Sequence, residues 1–498
     1  MSNAQVMVWL NGESRVVEGP EALLPVSSWL RTVLHLNGTK VACGTGDCGA
    51  CTVLVATPAS EVDATVRWHP LNSCVRFVFQ LHGCHVVTIE GMSSAEALAP
   101  AQRCLMACHA SQCGFCTPGF ALTMTAALEH SGKPVDWRAA LAGNVCRCTG
   151  YSAILEAAEQ AESLVQSEGS DHWLNTRFPP ERWQSKAREL YHQTLSVPGH
   201  DGGSARTPAL YRPSSVDEAL AWLAHEPHAQ IVAGATDLGV EGLDATRPVL
   251  CIEHLTGLAE WSVTSHPDVS NHETVRQTLM LGALVRWQEL PAIFSRTAGV
   301  HAASLSALVA RVGGPQIRAA GTVGGNIMTA SPIGDLLPLL LVLEARVELR
   351  SARETRVVPL REFGRGYRAT MRRSDELLTR VFVTLPQADE QVRLEKVSRR
   401  YEVDIATVSL AARWRDDHGI LRDVQLAAGG MGPAAGRLVH TEAVLNGATN
   451  VADSWATAAA TCAQDVTPRN DVRGSASYRS LVLQTLIAHL SRSPGGAA

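Results

Sequence analysis

Eleven of the 13 cysteines fall within the first 150 of 498 residues, and only Cys251 and Cys462 lie beyond. No other feature restricts the fold as strongly, because thiols that must converge on one inorganic centre dictate the loops and turns around them. Cys43, Cys48 and Cys51 stand as C-x4-C-x2-C, with Cys74 following after 22 residues. This is the plant-type spacing of a [2Fe-2S] centre. Gly44, Gly46 and Gly49 lie between the ligands, where the backbone has to wrap bridging sulfide and turn amides toward negative charge. Zinc is the competing reading, but zinc sites favour paired short C-x2-4-C hooks. Cys113 and Cys116 (C-x2-C) and, 29 residues on, Cys146 and Cys148 (C-x-C) form a second set. By spacing alone, zinc explains this set as well as iron does. The residues just after each pair favour an electron carrier: Thr117-Pro118 and Thr149-Gly150-Tyr151 open predicted helices, whose positive ends would face an anionic cluster. Cys84, Cys104 and Cys108 lie outside both spacings and read as small buried hydrophobes.

The ligands sit in a definite order of elements. Apolar runs over 6–10, 52–55 and 86–89 predict strands, and 26–36 predicts a helix with Trp29, Leu30 and Val33 facing inward, giving a small α+β domain over 1–90. Phe120, Met124, Ala127 and Leu128, then Ile154, Ala158, Ala161 and Val165, recur at helical spacing and predict amphipathic helices in a domain over 91–165. Thr117 and Pro118 cap the first of these helices, and Gly132 and Pro134 stop it. Residues 166–206, without period and rich in Pro, Gly and Ser, read as a linker. Mixed α/β structure follows over 207–388, with a helix over 215–225 and strands over 230–233 and 345–349. A last α+β subdomain spans 389–498, with strands over 408–414 and 424–427 and helices over 451–463 and 475–490.

Charge and hydropathy exclude other classes. A net charge of -5 gives no basic patch for nucleic acid. The longest apolar run, 336–343, is interrupted by Pro338 and too short to span a bilayer. The first residues lack the basic and apolar regions of a signal peptide, so a soluble, cytoplasmic chain is expected.

No G-x-G-x-x-G follows a strand and no P-loop occurs, so a nucleotide site has to be built otherwise. Ile231-Val232-Ala233-Gly234-Ala235-Thr236-Asp237-Leu238-Gly239 runs from an apolar strand into a small-residue turn whose amides could hold phosphate. Gly321-Thr322-Val323-Gly324-Gly325-Asn326-Ile327 is a second such turn, ahead of Asp335.

Gln112-Cys113-Gly114-Phe115-Cys116-Thr117-Pro118-Gly119 and Gly143-Asn144-Val145-Cys146-Arg147-Cys148-Thr149-Gly150-Tyr151 resemble the signatures of the molybdenum hydroxylase family, which includes xanthine dehydrogenases and aldehyde oxidoreductases. The resemblance implies that both cysteine sets bind [2Fe-2S]. It also implies a plant-type ferredoxin-like β-grasp domain, a helical-bundle [2Fe-2S] domain and a mixed α/β FAD-binding domain with a C-terminal subdomain. Gln112 and Cys148 then approach a molybdopterin and are electron-conduit candidates. The two glycine turns resemble the FAD domain shared by xanthine dehydrogenases, carbon monoxide dehydrogenase medium subunits and vanillyl alcohol oxidase-like flavoproteins. That implies FAD contacts from Ile231 through Leu238, from Thr322, Gly325 and Asn326, and from Asp335. Gly366-Tyr367-Arg368, Leu378, Lys396, Ser398-Arg399-Arg400 and Asp404-Ile405-Ala406 also match, with Leu378 and Lys396 on the flavin side. Standing alone, Lys396 and the two arginines would read as a solvated basic face. Val312 departs from the pattern, since many relatives carry Phe there.

No molybdopterin-binding segment is found in the sequence. The resemblance therefore implies the small, iron-sulfur and FAD subunit of a split bacterial xanthine dehydrogenase. Its partner would be a large molybdopterin-binding subunit, in a heterotetramer of two small and two large subunits, and NAD would be the electron acceptor. No catalytic acid or base is expected in this chain. Three alternatives share the motifs wholly or in part: the corresponding subunit of an aldehyde or N-heterocycle hydroxylase, a stand-alone NADH-dependent reductase, and a zinc-thiol scaffold.

Overall fold

The computed structural model describes residues 4–59, 66–93, 97–129, 134–169, 172–201, 206–267 and 275–491. Gly132, expected as a helix stop, lies outside the described residues, as do 170–171 and 202–205 of the expected linker. The chain forms two compact units, Met1–Leu255 with Gly313–Gly321, and Thr256–Val312 with Thr322–Ala498.

The first unit begins with a mixed five-stranded sheet: β1 (Val6–Leu10), β2 (Glu13–Val17), β3 (Thr52–Ala56), β4 (Trp68–Asn72) and β5 (His85–Val87), in the order β2-β1-β5-β3-β4. β1 and β5 run parallel, and the other pairs are antiparallel. Val6, Val8, Leu10, Val53 and Val86 face one core, while Trp9, Leu54, Trp68 and Val87 face another. Both faces are covered, which explains why β1 reads as a continuous apolar run without alternation. The helix expected over 26–36 is shorter, a single α-turn at Val26–Ser28 continuing as a wider π-type turn over Trp29–Val33.

The expectation of a linker over 166–206 is corrected. This stretch holds short helices at Trp173–Arg177 and at Gln184–Tyr191 and a strand at Leu195–Val197. Its Leu174, Phe178, Trp183 and Leu190 pack on Trp9, Leu54 and Trp68. Together with Leu122 and Ala126 they cover the second face of the sheet, and each such large apolar side chain contributes about 1.5–3 kcal/mol when fully buried.

Three helices carry the second cysteine set: α1 (Pro100–Ala107), α2 (Thr117–Leu128) and α3 (Ser152–Glu168). α3 buries Ile154, Ala158, Ala161 and Val165 on one face as expected. α2 is not amphipathic, because Phe120 and Met124 enter the helical core while Leu122 and Ala126 enter the core against the sheet. Thr117 is not its cap either. Cys116 precedes the first turn, and the Thr117 hydroxyl bonds that of Ser111 at 2.9 Å. After α4 (Val216–His225), capped by Ser215, the small sheet that carries the first glycine turn contains β6 (Gln230–Val232) parallel to β7 (Val249–Cys251). α5 (Pro315–Arg318) also belongs to this unit.

The second unit holds a five-stranded sheet that includes β8 (Arg346–Arg350) and β9 (Leu377–Thr384), with α6 (Val323–Thr329) and α7 (Leu336–Val342). Every residue of α7 is buried, which accounts for the apolar run around Pro338. A four-stranded antiparallel sheet follows, led by β10 (Glu390–Val397), β11 (Val408–Asp417) and β12 (Ile420–Gly429). The terminal helix α8 (Ala476–His489) packs on it through Leu483 and Ile487.

Candidate functional site

The first cysteine loop fills the chain between Val33 and β3. Its Gly44, Gly46 and Gly49 have φ of +72°, +81° and +66°, a region other residues rarely occupy, so the glycines there are a backbone requirement. Cys74 sits on a tight turn after β4 and is tied to the loop by Ser73, whose hydroxyl donates to the Cys51 carbonyl at 2.6 Å. The four thiols interact in two pairs, Cys43 with Cys48 and Cys51 with Cys74. Burial would raise Cys43, but the amide and hydroxyl of Thr45 outweigh it and bring the thiol down to about 7. The hydrogen bond between Cys51 and Cys74 lowers the former and raises the latter.

The second set is arranged likewise, Cys113 with Cys148 and Cys116 with Cys146. The Cys113 and Cys148 sulfurs lie 3.5 Å apart, close to the roughly 3.8 Å that two thiolates take on one tetrahedral metal with bonds of about 2.3 Å. The Thr149 hydroxyl donates to the Cys146 sulfur at 3.1 Å. Burial and the neighbouring Cys146 push the Cys116 thiol up to about 12. α2 begins directly after Cys116, and α3 begins at Ser152, after a left-handed Tyr151. Among the described residues no three His, Cys, Asp or Glu side chains gather round a single ion. Two pairs in each set suit two irons held by two thiolates apiece, the donor chemistry of a [2Fe-2S] centre.

The two loops touch: the Val145 amide, beside Cys146, donates to the Cys48 carbonyl at 3.0 Å. At the other side of the first set, the turn after β6 closes on the residue that follows Cys74, since a side chain at Gly239 would collide with the Val75 backbone. The first set therefore lies between the second set and the first glycine turn. In that turn Ala235 is left-handed (φ +59°), the Ala233 carbonyl accepts from Gln80 at 2.9 Å, and a Cβ at Gly234 would strike the Ala320 carbonyl.

The second glycine turn opens α6 in the second unit. Thr322 caps this helix, its hydroxyl accepting from the Gly325 amide at 3.0 Å. A Cβ at Gly325 would meet only that hydroxyl, leaving its other side as a cradle, whereas one at Gly324 would strike Ala283. Asp335 and Lys396, read separately from the sequence, meet here. The Lys396 ammonium donates to Asp335 at 2.8 Å and to the Arg311 carbonyl at 2.8 Å, and its side chain is 1% exposed, so it is not part of a solvated basic face. Burial holds the Asp335 carboxyl above the usual range although Lys396 draws it down. Asn326 Oδ1 and Asp335 Oδ1 are buried without hydrogen-bond partners, which fits a ligand that donates from hydroxyl or ring N–H groups, as a ribityl-bearing flavin does. Leu378 lies in the core at a bulge between β8 and β9, and Val312 packs half-buried on the same core. Gln112, Cys113 and Cys148 are exposed. Sequence reasoning missed the buried polar residues Asn144 and Gln316. Asn144 stands two residues before Cys146 and Gln316 directly after Gly313-Gly314-Pro315, and neither place announces a contact.

Three family models match in chain order: a [2Fe-2S] binding domain over residues 88–159, the FAD binding domain in molybdopterin dehydrogenase over 204–387, and the CO dehydrogenase flavoprotein C-terminal domain over 393–493. Xanthine dehydrogenase 2 of Arabidopsis thaliana is 29% identical over 89% of this chain and 36% of its own length. The xanthine dehydrogenase of Oryza sativa subsp. japonica is 30% identical over 89% and 36%. Aldehyde oxidase 4 of Cavia porcellus is 28% identical over 86% and 34%. The chain thus spans about a third of the length of these relatives. A solved chain of carbon monoxide dehydrogenase from Hydrogenophaga pseudoflava superposes with a TM-score of 0.51 and 24% identity over 57% of this chain and 96% of that one, a likeness of fold. The pairing of the cysteines, the glycine turns and the order of the matching models agree, and the chain carries a [2Fe-2S] binding domain, an FAD binding domain of the kind found in molybdopterin dehydrogenase and a C-terminal domain like that of the CO dehydrogenase flavoprotein.

Proposed function

We propose that the chain is the electron-transfer subunit of a xanthine dehydrogenase. In this reading electrons from a molybdenum centre on a large partner subunit pass through two [2Fe-2S] centres to FAD and on to NAD during oxidation of hypoxanthine and xanthine to urate. The observation that carries the reading is the order of sites in the first unit: the second cysteine set touches the first through Val145 and Cys48, and the first touches a glycine turn through Val75 and Gly239. The bound cofactors would supply the chemistry, the clusters moving single electrons and the flavin collecting two for hydride transfer. The chain's own residues do the holding. Cys43, Cys48, Cys51 and Cys74 take one centre, and Cys113, Cys116, Cys146 and Cys148 take the other. Ile231 through Leu238, and Thr322, Gly325, Asn326 and Asp335, are the FAD residues. Lys396 keeps Asp335 in place, with Val312 and Leu378 as apolar neighbours.

The exposed second loop, with Gln112 and Cys148 flanked by exposed Phe115, Val145 and Tyr151, supports docking of the molybdenum subunit there. A two-plus-two heterotetramer and a cytoplasmic setting complete the proposal. The likeness to aldehyde oxidase 4 supports a second reading, in which the partner oxidises aldehydes or N-heterocycles. The test is purification from the native host with metal analysis and turnover on xanthine and on aldehydes. A co-purifying molybdenum subunit with NAD-linked xanthine oxidation is expected. Aldehyde turnover alone would favour the second reading, and full activity of the chain without any molybdenum would overturn both.

A further inference from the structure

Four buried polar side chains from four separate stretches of the first unit meet between the two cysteine loops, and electron carriage as such does not call for them. Thr52, Thr123, Asn144 and Gln316 are each 3% exposed or less. Gln316 Nε2 donates to Asn144 Oδ1 at 2.9 Å and reaches the Thr123 and Thr52 hydroxyls at 3.3 and 3.4 Å. The Thr123 hydroxyl donates to the same Asn144 oxygen at 2.9 Å. Asn144 Nδ2 then donates to the Gly49 carbonyl at 3.2 Å, which also accepts the Thr52 hydroxyl at 2.6 Å. With the Val145 amide on the Cys48 carbonyl, two consecutive residues of one loop are pinned to two consecutive carbonyls of the other.

The fit is close enough to need glycine on three sides. A Cβ at Gly49 would strike the Gly143 carbonyl, one at Gly119 the Gly49 carbonyl, and one at Gly143 the Gln316 side chain. Ile317, the next residue on α5, packs on Cys51, Cys74 and Val75. Gln316 Oε1 is buried without a partner, a penalty that an apolar side chain of similar volume would avoid. A polar group kept under such a penalty argues for geometry over stability, because apolar packing tolerates small sliding and directed hydrogen bonds do not.

We propose that Gln316 is a positioning residue that sets the spacing and coupling of the two iron-sulfur centres, acting through Asn144 on the Val145–Cys48 hydrogen bond. The inference rests on the two-centre reading above. The step it governs moves one electron from the centre of the second set to that of the first, with no bond or proton changing hands.

The experiment is electron paramagnetic resonance of the fully reduced chain with its native partner, joined to redox titration and iron analysis. Gln316→Met keeps the volume and removes the amide donors, and Thr123→Val does the same for one hydroxyl. Expected in Gln316→Met are unchanged iron content, both signals retained, an altered or lost spin-spin splitting between them and a shifted midpoint potential of the first centre. Thr123→Val should change the same readouts less. Splitting and potentials identical to the parent in whichever variant folds would overturn the proposal. A parent protein with a single centre would overturn the two-centre reading itself, a result seen before any variant is made.

Discussion

Cys51 and Cys74 are buried beside the sheet, whereas Cys113 and Cys148 are exposed among Phe115, Val145 and Tyr151. Each set runs from an exposed first thiol, Cys43 or Cys113, to a buried third, Cys51 or Cys146, and the two differ at the last cysteine, Cys74 being buried and Cys148 exposed. Beside Cys74 the chain has built a buried ion pair. Arg76, two residues after Cys74, makes a bidentate pair with Glu253 at 3.0 and 2.9 Å, the two side chains being 5% and 6% exposed. A charged contact of the helical domain, Arg103 with Glu168 at the far end of α3, is solvent-exposed on both sides.

The ligands themselves offer the most direct challenge to this contrast. Cys51→Ser should abolish one paramagnetic signal and leave the other, and Cys148→Ser should do the reverse; loss of both signals from either variant would show that the sets are not independent. Gly325→Val should then empty the flavin site while both signals persist, read as loss of the flavin absorption band, since the new side chain would occupy the cradle beside the Thr322 hydroxyl. Gly324→Val is the poorer probe because it would clash with Ala283 and disturb packing.

A third test compares the two ion pairs. Arg76→Ala strands the buried Glu253 carboxylate and should cost about 3–5 kcal/mol in denaturant unfolding. Arg103→Ala should leave the unfolding curve within error, as expected for a solvent-screened pair. Equal effects would mean that the two pairs are held alike.

The last test is a pH dependence. Burial holds His82 and His85 at about 3, and each imidazole accepts a backbone amide, from Met7 and Gly12, which protonation would displace. Their folded values lie below the unfolded value, so the stability they confer is full above about pH 6.5 and falls toward pH 3, by about 1.4 kcal/mol per histidine per pH unit. His85→Gln should flatten that slope in acid unfolding; an unchanged slope would remove this histidine from the cause.

Much of the site was legible because its rules are local. Cysteine spacing, glycines at left-handed positions in the first loop, the apolar run of β1 and the apolar period of α3 all act within a few residues, so the two cysteine groups and the longer, strongly patterned elements follow from the order of residues alone. Other features depend on residues far apart in the chain. Residues 166–206 look like a linker until Trp183 and Phe178 are seen packed on the second face of the sheet. Lys396 looks solvated until Asp335, 61 residues away, receives it in a buried pair. Gln316 lies 172 residues from Asn144, and no period or spacing connects them. That Cys74 is buried and Cys148 exposed emerges from the folded chain and from nothing shorter, because burial belongs to the packing of distant segments and hydrogen-bond partners are chosen by proximity in space.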